Sequence, residues 1–100
     1  MMILHEEEQG YLGLSYDPGL EAFALHVQLE NWSVSEYKRY LKIFGEASHK
    51  LKEEMKIKEV YGHALTPKNI RFNEMFGFYF TGDVSHGTDG TDRYLTRREL

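Results

Sequence analysis

Thr66-Pro67-Lys68-Asn69-Ile70-Arg71-Phe72-Asn73-Glu74-Met75-Phe76-Gly77-Phe78 is the stretch whose reading decides the fold. Thr66-Pro67 opens a short amphipathic helix that runs through Phe76, with proline where its missing N–H costs nothing. Gly77 closes the helix as a left-handed cap would, and Phe78 launches another strand. The segment before it, Glu59–Leu65, reads as a strand.

Upstream lies a longer helix. Ser33-Val34-Ser35-Glu36 has capping-box spacing, and Trp32 just before it is placed to staple onto the first turn. Apolar residues recur at Tyr37, Tyr40, Leu41, Phe44, Ala47, Leu51 and Met55, the spacing of one buried stripe. Lys38, Arg39, Lys42, Glu46, Lys50 and Glu53 form the solvated face. Gly45 inside this helix costs about 1 kcal/mol relative to Ala, which points to a close contact there.

Before that helix, Phe23, Leu25, Val27 and Leu29 alternate with Ala24, His26 and Gln28, the period of a strand. Met2–Glu7 and Tyr11–Tyr16 read as two strands about a turn at Gly10, and Asp17-Pro18-Gly19 is a stop. Phe78–Val84 and Arg93–Arg98 read as a final hairpin around His86-Gly87-Thr88-Asp89-Gly90-Thr91-Asp92. The order is β-β-β-α-β-α-β-β: an α/β (α+β) fold with a mixed sheet, one domain over 1–100, without linker or repeat.

Composition narrows the function classes. The 100 residues carry a net charge of −4, which argues against a nucleic-acid or acidic-membrane binder, since phosphate contacts need clustered Lys and Arg. Zero cysteines exclude a disulfide scaffold, Cys-based zinc sites and thiol nucleophiles. Met1-Met2-Ile3-Leu4 is too short for a signal peptide core, and no apolar run reaches membrane-spanning length. A soluble, cytoplasmic domain is expected. His5, His26, His49, His63 and His86 show no metal-ligand spacing, so no metal is expected. Gly87–Asp92 lacks the acidic ladder of a calcium loop.

The Thr66–Phe78 helix before Gly-Phe resembles the last helix of the GCN5-related N-acetyltransferase (GNAT) fold, and the element order resembles a minimal GNAT domain lacking its first strand and first two helices. Trp32, Lys38-Arg39 and Ile70-Arg71-Phe72…Gly77-Phe78 also resemble small GNAT-like proteins of tailed phages, including internal virion or head-assembly proteins. The resemblance implies three chemical needs. A pyrophosphate cradle is expected between the central strand and the long helix, where glycines let backbone N–H groups approach the anion. Here that turn reads Gln28-Leu29-Glu30-Asn31-Trp32-Ser33-Val34-Ser35, with no glycine, a bulky Trp and a carboxylate. A general acid for the departing thiolate is expected where Asn73 stands, and an amide is no proton source. A base for the amine acceptor is expected on the central strands, where His26, Glu30 and His63 are candidates.

The resemblance thus implies three functions. The first is a divergent, non-catalytic, phage-type accessory protein that acts by protein–protein binding, located in a host cytoplasm or virion. The second is an active acetyl-CoA-dependent N-acetyltransferase. There Val27 and Leu29 would pair with pantetheine, Ser33, Val34 and Ser35 would take the pyrophosphate, and Asn69, Phe72 and Asn73 would line the channel. The third is a homo-oligomeric structural component. A sheet shortened in this way leaves an edge or face open, which favours self-association or a protein partner.

Overall fold

A computed structural model of the chain describes residues 1–86 and 90–100. Its elements are β1 (Met2–Glu7), β2 (Gly10–Asp17), β3 (Ala22–Leu29), α1 (Val34–Glu54), β4 (Glu59–Ala64), α2 (Pro67–Met75), β5 (Tyr79–His86) and β6 (Asp92–Glu99). The expected order holds, and the strand ends move by one or two residues. Thr88 and its neighbours at 87 and 89, in the expected hairpin turn, lie outside the described residues.

The strands form one six-stranded sheet in the order β1-β2-β3-β4-β6-β5. β1, β2 and β3 are paired antiparallel, and β2 meets β3 over its full length, from Gly10↔Leu29 to Asp17↔Ala22. β4, β6 and β5 form a second antiparallel set, with β4 paired to β6 from Glu59↔Glu99 to Ala64↔Tyr94. The two sets are joined by a single parallel bridge, Ala24↔Tyr61. The sheet is therefore two three-stranded halves meeting at one point.

Strand alternation sorts the side chains. Leu12, Leu14, Leu25 and Val60 face the helices and form the core with Tyr40, Phe44 and Leu51 of α1 and with Phe76 and Phe78. Burial of each large apolar side chain contributes about 1.5–3 kcal/mol. The opposite face, with Tyr11, Ser15, Asp17, His26, Tyr61 and His63, carries no helix among the described residues.

The cap of α1 forms as its sequence dictates: Ser33 Oγ accepts the Glu36 N–H at 3.2 Å. The Trp32 ring meets Tyr37 edge-on at 5.9 Å, the expected staple. The reciprocal half of the capping box is absent, because the Glu36 carboxylate instead takes Arg39 at 2.6 and 3.1 Å. Arg39 also grips Glu7 of β1 through both terminal nitrogens, and Tyr40 Oη donates to Glu7 at 2.9 Å. These charge-assisted bonds fasten the long helix to the edge strand. Arg39, followed by His5, holds the Glu7 carboxyl well below the usual carboxylate range. Burial, with the Glu7 bond second, pushes the Tyr40 phenol up to about 12.

Three expectations need correction. Leu41 and Met55 are exposed, because the stripe is centred on Tyr40, Phe44 and Leu51, while Ile43 packs on the core instead. Leu41 is one residue, about 100°, around the helix from Tyr40, and Met55 is already the C-cap. Gly45 has no close contact: a Cβ built there meets nothing within 4 Å. Helix α2 ends at Met75, one residue early, with Phe76 as its cap.

Gly77 is the opposite case, with φ +86° and a hypothetical Cβ 3.2 Å from Arg98 Nε. Chemical denaturation of two variants separates these glycines. Gly45→Ala is expected to stabilise by about 0.5–1 kcal/mol, and Gly77→Ala to destabilise by about 1 kcal/mol or more.

Candidate functional site

Past Ala24↔Tyr61 the two halves of the sheet part: β3 stays paired with β2 and β4 with β6, but β3 and β4 do not pair with each other. The gap is a wedge of about 570 Å³. It cuts through the sheet, so residues of both faces line it. Leu25, Val27 and Leu29 of β3, and Phe72, Phe76 and Phe78, give it an apolar body. His26, His63, Asn69 and Asn73 supply polar groups.

Of the residues singled out from sequence, Val27, Leu29, Asn69, Phe72, Asn73, His26 and His63 line this one wedge. Glu30, Ser33, Val34 and Ser35 do not. Glu30 and the three residues at the start of α1 are exposed, and Ser33 Oγ is engaged by the Glu36 N–H and by Ser35 Oγ at 3.1 Å. The surprise is Trp32, which residue chemistry treats only as a staple. Its ring lines the wedge, lies edge-on to Phe72 at 4.9 Å and tilts against Phe76 at 6.1 Å. It therefore reaches from the β3–α1 turn across to α2.

The floor of the wedge is built on Gly62. The buried Thr96 hydroxyl donates to the Gly62 carbonyl at 2.7 Å. Its proton is thereby spent, so it must accept from Asn73, and Asn73 Nδ2 stands 3.1 Å away. This fixes which way the carboxamide points. Asn73 is thus half-buried and bonded rather than a helix-surface residue, and its backbone carbonyl takes the N–H groups of Phe76 and Phe78. Any Cβ at position 62 would sit 3.0 Å from Thr96 Oγ1 and 3.2 Å from Asn73 Nδ2. A glycine inside a strand signals such a close approach, and that signal is readable in the sequence.

The rim on the helix-free face is polar. His26 Nε2 and Ser15 Oγ are 2.7 Å apart. His63 Nε2 lies 3.4 Å from Asp17 Oδ2, while Asp17 Oδ1 is held by the N–H groups of Gly19 and Leu20. His63 Nδ1 is buried without a partner. Burial, with His63 second and the Met1 amino group third, holds the His26 imidazole below its ordinary pKa. A neutral imidazole at pH 7 can accept a proton. No group of three or more metal-ligating side chains occurs among the described residues, and none of the described helices is long and apolar enough to cross a membrane.

The sign of the His26 effect is fixed. The unfolded chain takes up this proton near pH 6.5 and the folded chain only below it, so the contribution is complete above pH 6.5 and is lost as pH falls toward the folded value. Proton NMR is expected to place the His26 midpoint below 6.5. His26→Gln should flatten the loss of stability on acidification through that window, and a midpoint at or above 6.5 would contradict the burial described.

No family model matches the chain, and no curated protein matches it. Among solved structures it is similar to an acetyltransferase of the GNAT family from Bacillus anthracis, with a TM-score of 0.59 and 21% identity. The match covers 91% of this chain and 58% of the other. At that identity the likeness shows the fold: a minimal GNAT-like mixed sheet with two helices.

Proposed function

We propose that the chain binds an acyl thioester by its pantetheine arm in the wedge and transfers the acyl group to an amine. The observation that carries this reading is the single bridge Ala24↔Tyr61, beyond which β3 runs unpaired on its β4 side. An extended chain bearing amides can lie along such an edge as an added strand, exchanging main-chain hydrogen bonds. Val27 and Leu29 stand on that edge, and Asn69, Phe72 and Asn73 face it from α2. The acetyltransferase activity of the Bacillus anthracis neighbour supports the choice of chemistry.

In this reading the neutral His26, oriented by Ser15, takes the proton that the amine nitrogen loses as it attacks the thioester carbonyl. Asn73 has one Nδ2–H committed to Thr96, and its second can hydrogen-bond the departing sulfur without protonating it. The thiol proton then comes from solvent, so thioesters with low-pKa thiols should react fastest. Asp17 gives the rim a fixed carboxylate suited to a cationic amine.

One observation favours a second reading, a binding domain without catalysis: Asn73, which lines the wedge from α2, is an amide and not an acid. Exposed apolar residues on both edge strands, Met2 and Ile3 on β1 and Tyr79, Phe80 and Val84 on β5, then serve a protein partner or self-association. A phage-type accessory role is the form this reading takes.

Calorimetric titration with S-acetyl-pantetheine, followed by thiol release with spermidine and a lysine-bearing peptide, separates the two. Binding with amine-dependent release is expected, and His26→Gln should lower release at pH 7 by about a hundredfold with thioester affinity unchanged. Binding without release would leave the second reading. No heat and no change in Trp32 fluorescence at millimolar thioester would overturn the thioester reading and leave the protein-binding one.

A further inference from the structure

The thioester reading leaves open what lies at the far end of the pantetheine arm. In coenzyme A that end is a nucleotide with a pyrophosphate and a further phosphate. A site for it needs backbone N–H donors turned toward the anion and positive charge nearby. The wedge lining is sparse in both: its one Lys or Arg side chain among the described residues is Lys68, in the first turn of α2. The indole of Trp32 lines the wedge from the β3–α1 turn and lies edge-on to Phe72, while Ser33, Val34 and Ser35 at the start of α1 are not among its lining residues. Ser33 Oγ caps its own helix, which consumes the Glu36 N–H. Glu30 adds a carboxylate to the turn, and Lys68 is the one cation among the described residues that line the wedge.

We infer that this wedge recognises the pantetheine thioester itself and does not read the nucleotide, so that its donor is a thioester whose pantetheine arm ends in something other than a tightly held ADP group. This rests on the wedge being a thioester site. Two sources share that chemistry: a free pantetheine thioester, and a phosphopantetheine arm borne on a carrier protein. Trp32 supports either, because an apolar ring at the exit suits a neutral arm and repels nothing that continues outward to a bulky neutral or protein-borne group. Glu30 acts in the same direction, since its charge opposes polyphosphate and leaves an uncharged arm unaffected.

The test compares three ligands on the full chain by calorimetry and by fluorescence of Trp32, the single Trp of the sequence. These are S-acetyl-pantetheine, acetyl-CoA, and an acetylated phosphopantetheine carrier domain. S-acetyl-pantetheine is expected to bind within about threefold of acetyl-CoA, since Lys68 alone stands against the Glu30 carboxylate as a charge that a phosphate would meet there. Glu30→Lys is expected to tighten acetyl-CoA by about fivefold and to leave S-acetyl-pantetheine unchanged. Glu30 is exposed and lies outside the wedge lining, so this substitution is the deciding one.

If acetyl-CoA binds tenfold or more tightly than S-acetyl-pantetheine, the nucleotide is read and the inference is wrong. If the two are equal and the carrier-borne arm binds more tightly still, the source is a carrier protein. If it binds more weakly, the source is a free thioester, and both orders support the inference. If none of the three binds, the thioester reading itself fails, and this inference falls with it.

Discussion

The single parallel bridge between Ala24 and Tyr61 is the constraint on which the rest of the molecule depends. Each half of the sheet satisfies its own backbone: β2 and β3 pair over eight positions, β4 and β6 over six. Each ladder uses the backbone groups on one side of its strands only, so beyond the bridge β3 and β4 keep free groups on the sides that face across the gap. Unpaired backbone groups are tolerated there because the wedge is open to solvent rather than sealed.

What keeps the gap from collapsing is aromatic. Trp32, Tyr37, Phe72, Phe76, Phe44 and Phe78 form a connected set of edge-on and tilted contacts with centroids 4.9–6.1 Å apart. These contacts lock the start of α1 to α2 and to the chain entering β5. Arg98 adds to the block, lying over the Phe44 ring at 4.5 Å and donating to the Phe76 carbonyl at 2.5 Å. At the far edge, Glu7, Arg39 and Tyr40 hold α1 against β1. The helix is pinned at both sides of the sheet, and the wedge keeps its width between them.

Much of this was legible in the sequence, for identifiable reasons. Periodicity of two marked β3 and spacing of three and four marked α1, and both helix caps lay where Ser33 and Thr66 put them. The fold followed from element order and the Thr66–Phe78 helix. The site was legible in part: Val27, Leu29 and the α2 residues share a wedge because strand and helix alternation bring them to one side. The role of Trp32 was hidden, since a residue before a cap reads as a staple and nothing local says its ring also crosses to Phe72. Thr96 was hidden too, because the hydroxyl matters only through register, which sets it opposite Gly62. Gly45 misled because a helix glycine can mark a close contact and here marks none.

Whether the two halves really part is open to direct measurement by amide hydrogen exchange, residue by residue, on the free chain and with saturating S-acetyl-pantetheine. Unpaired strand amides exchange at the low-stability end of the scale, and ladder amides at the high end. Alternate amides of residues 25–29 are expected to exchange fast in the free chain while those of Ala24 and of the β4–β6 ladder are slow. The fast set is expected to become protected when the thioester binds. Uniformly slow exchange along β3 without ligand would mean that the strands are zipped together, and the wedge with everything built on it would be contradicted.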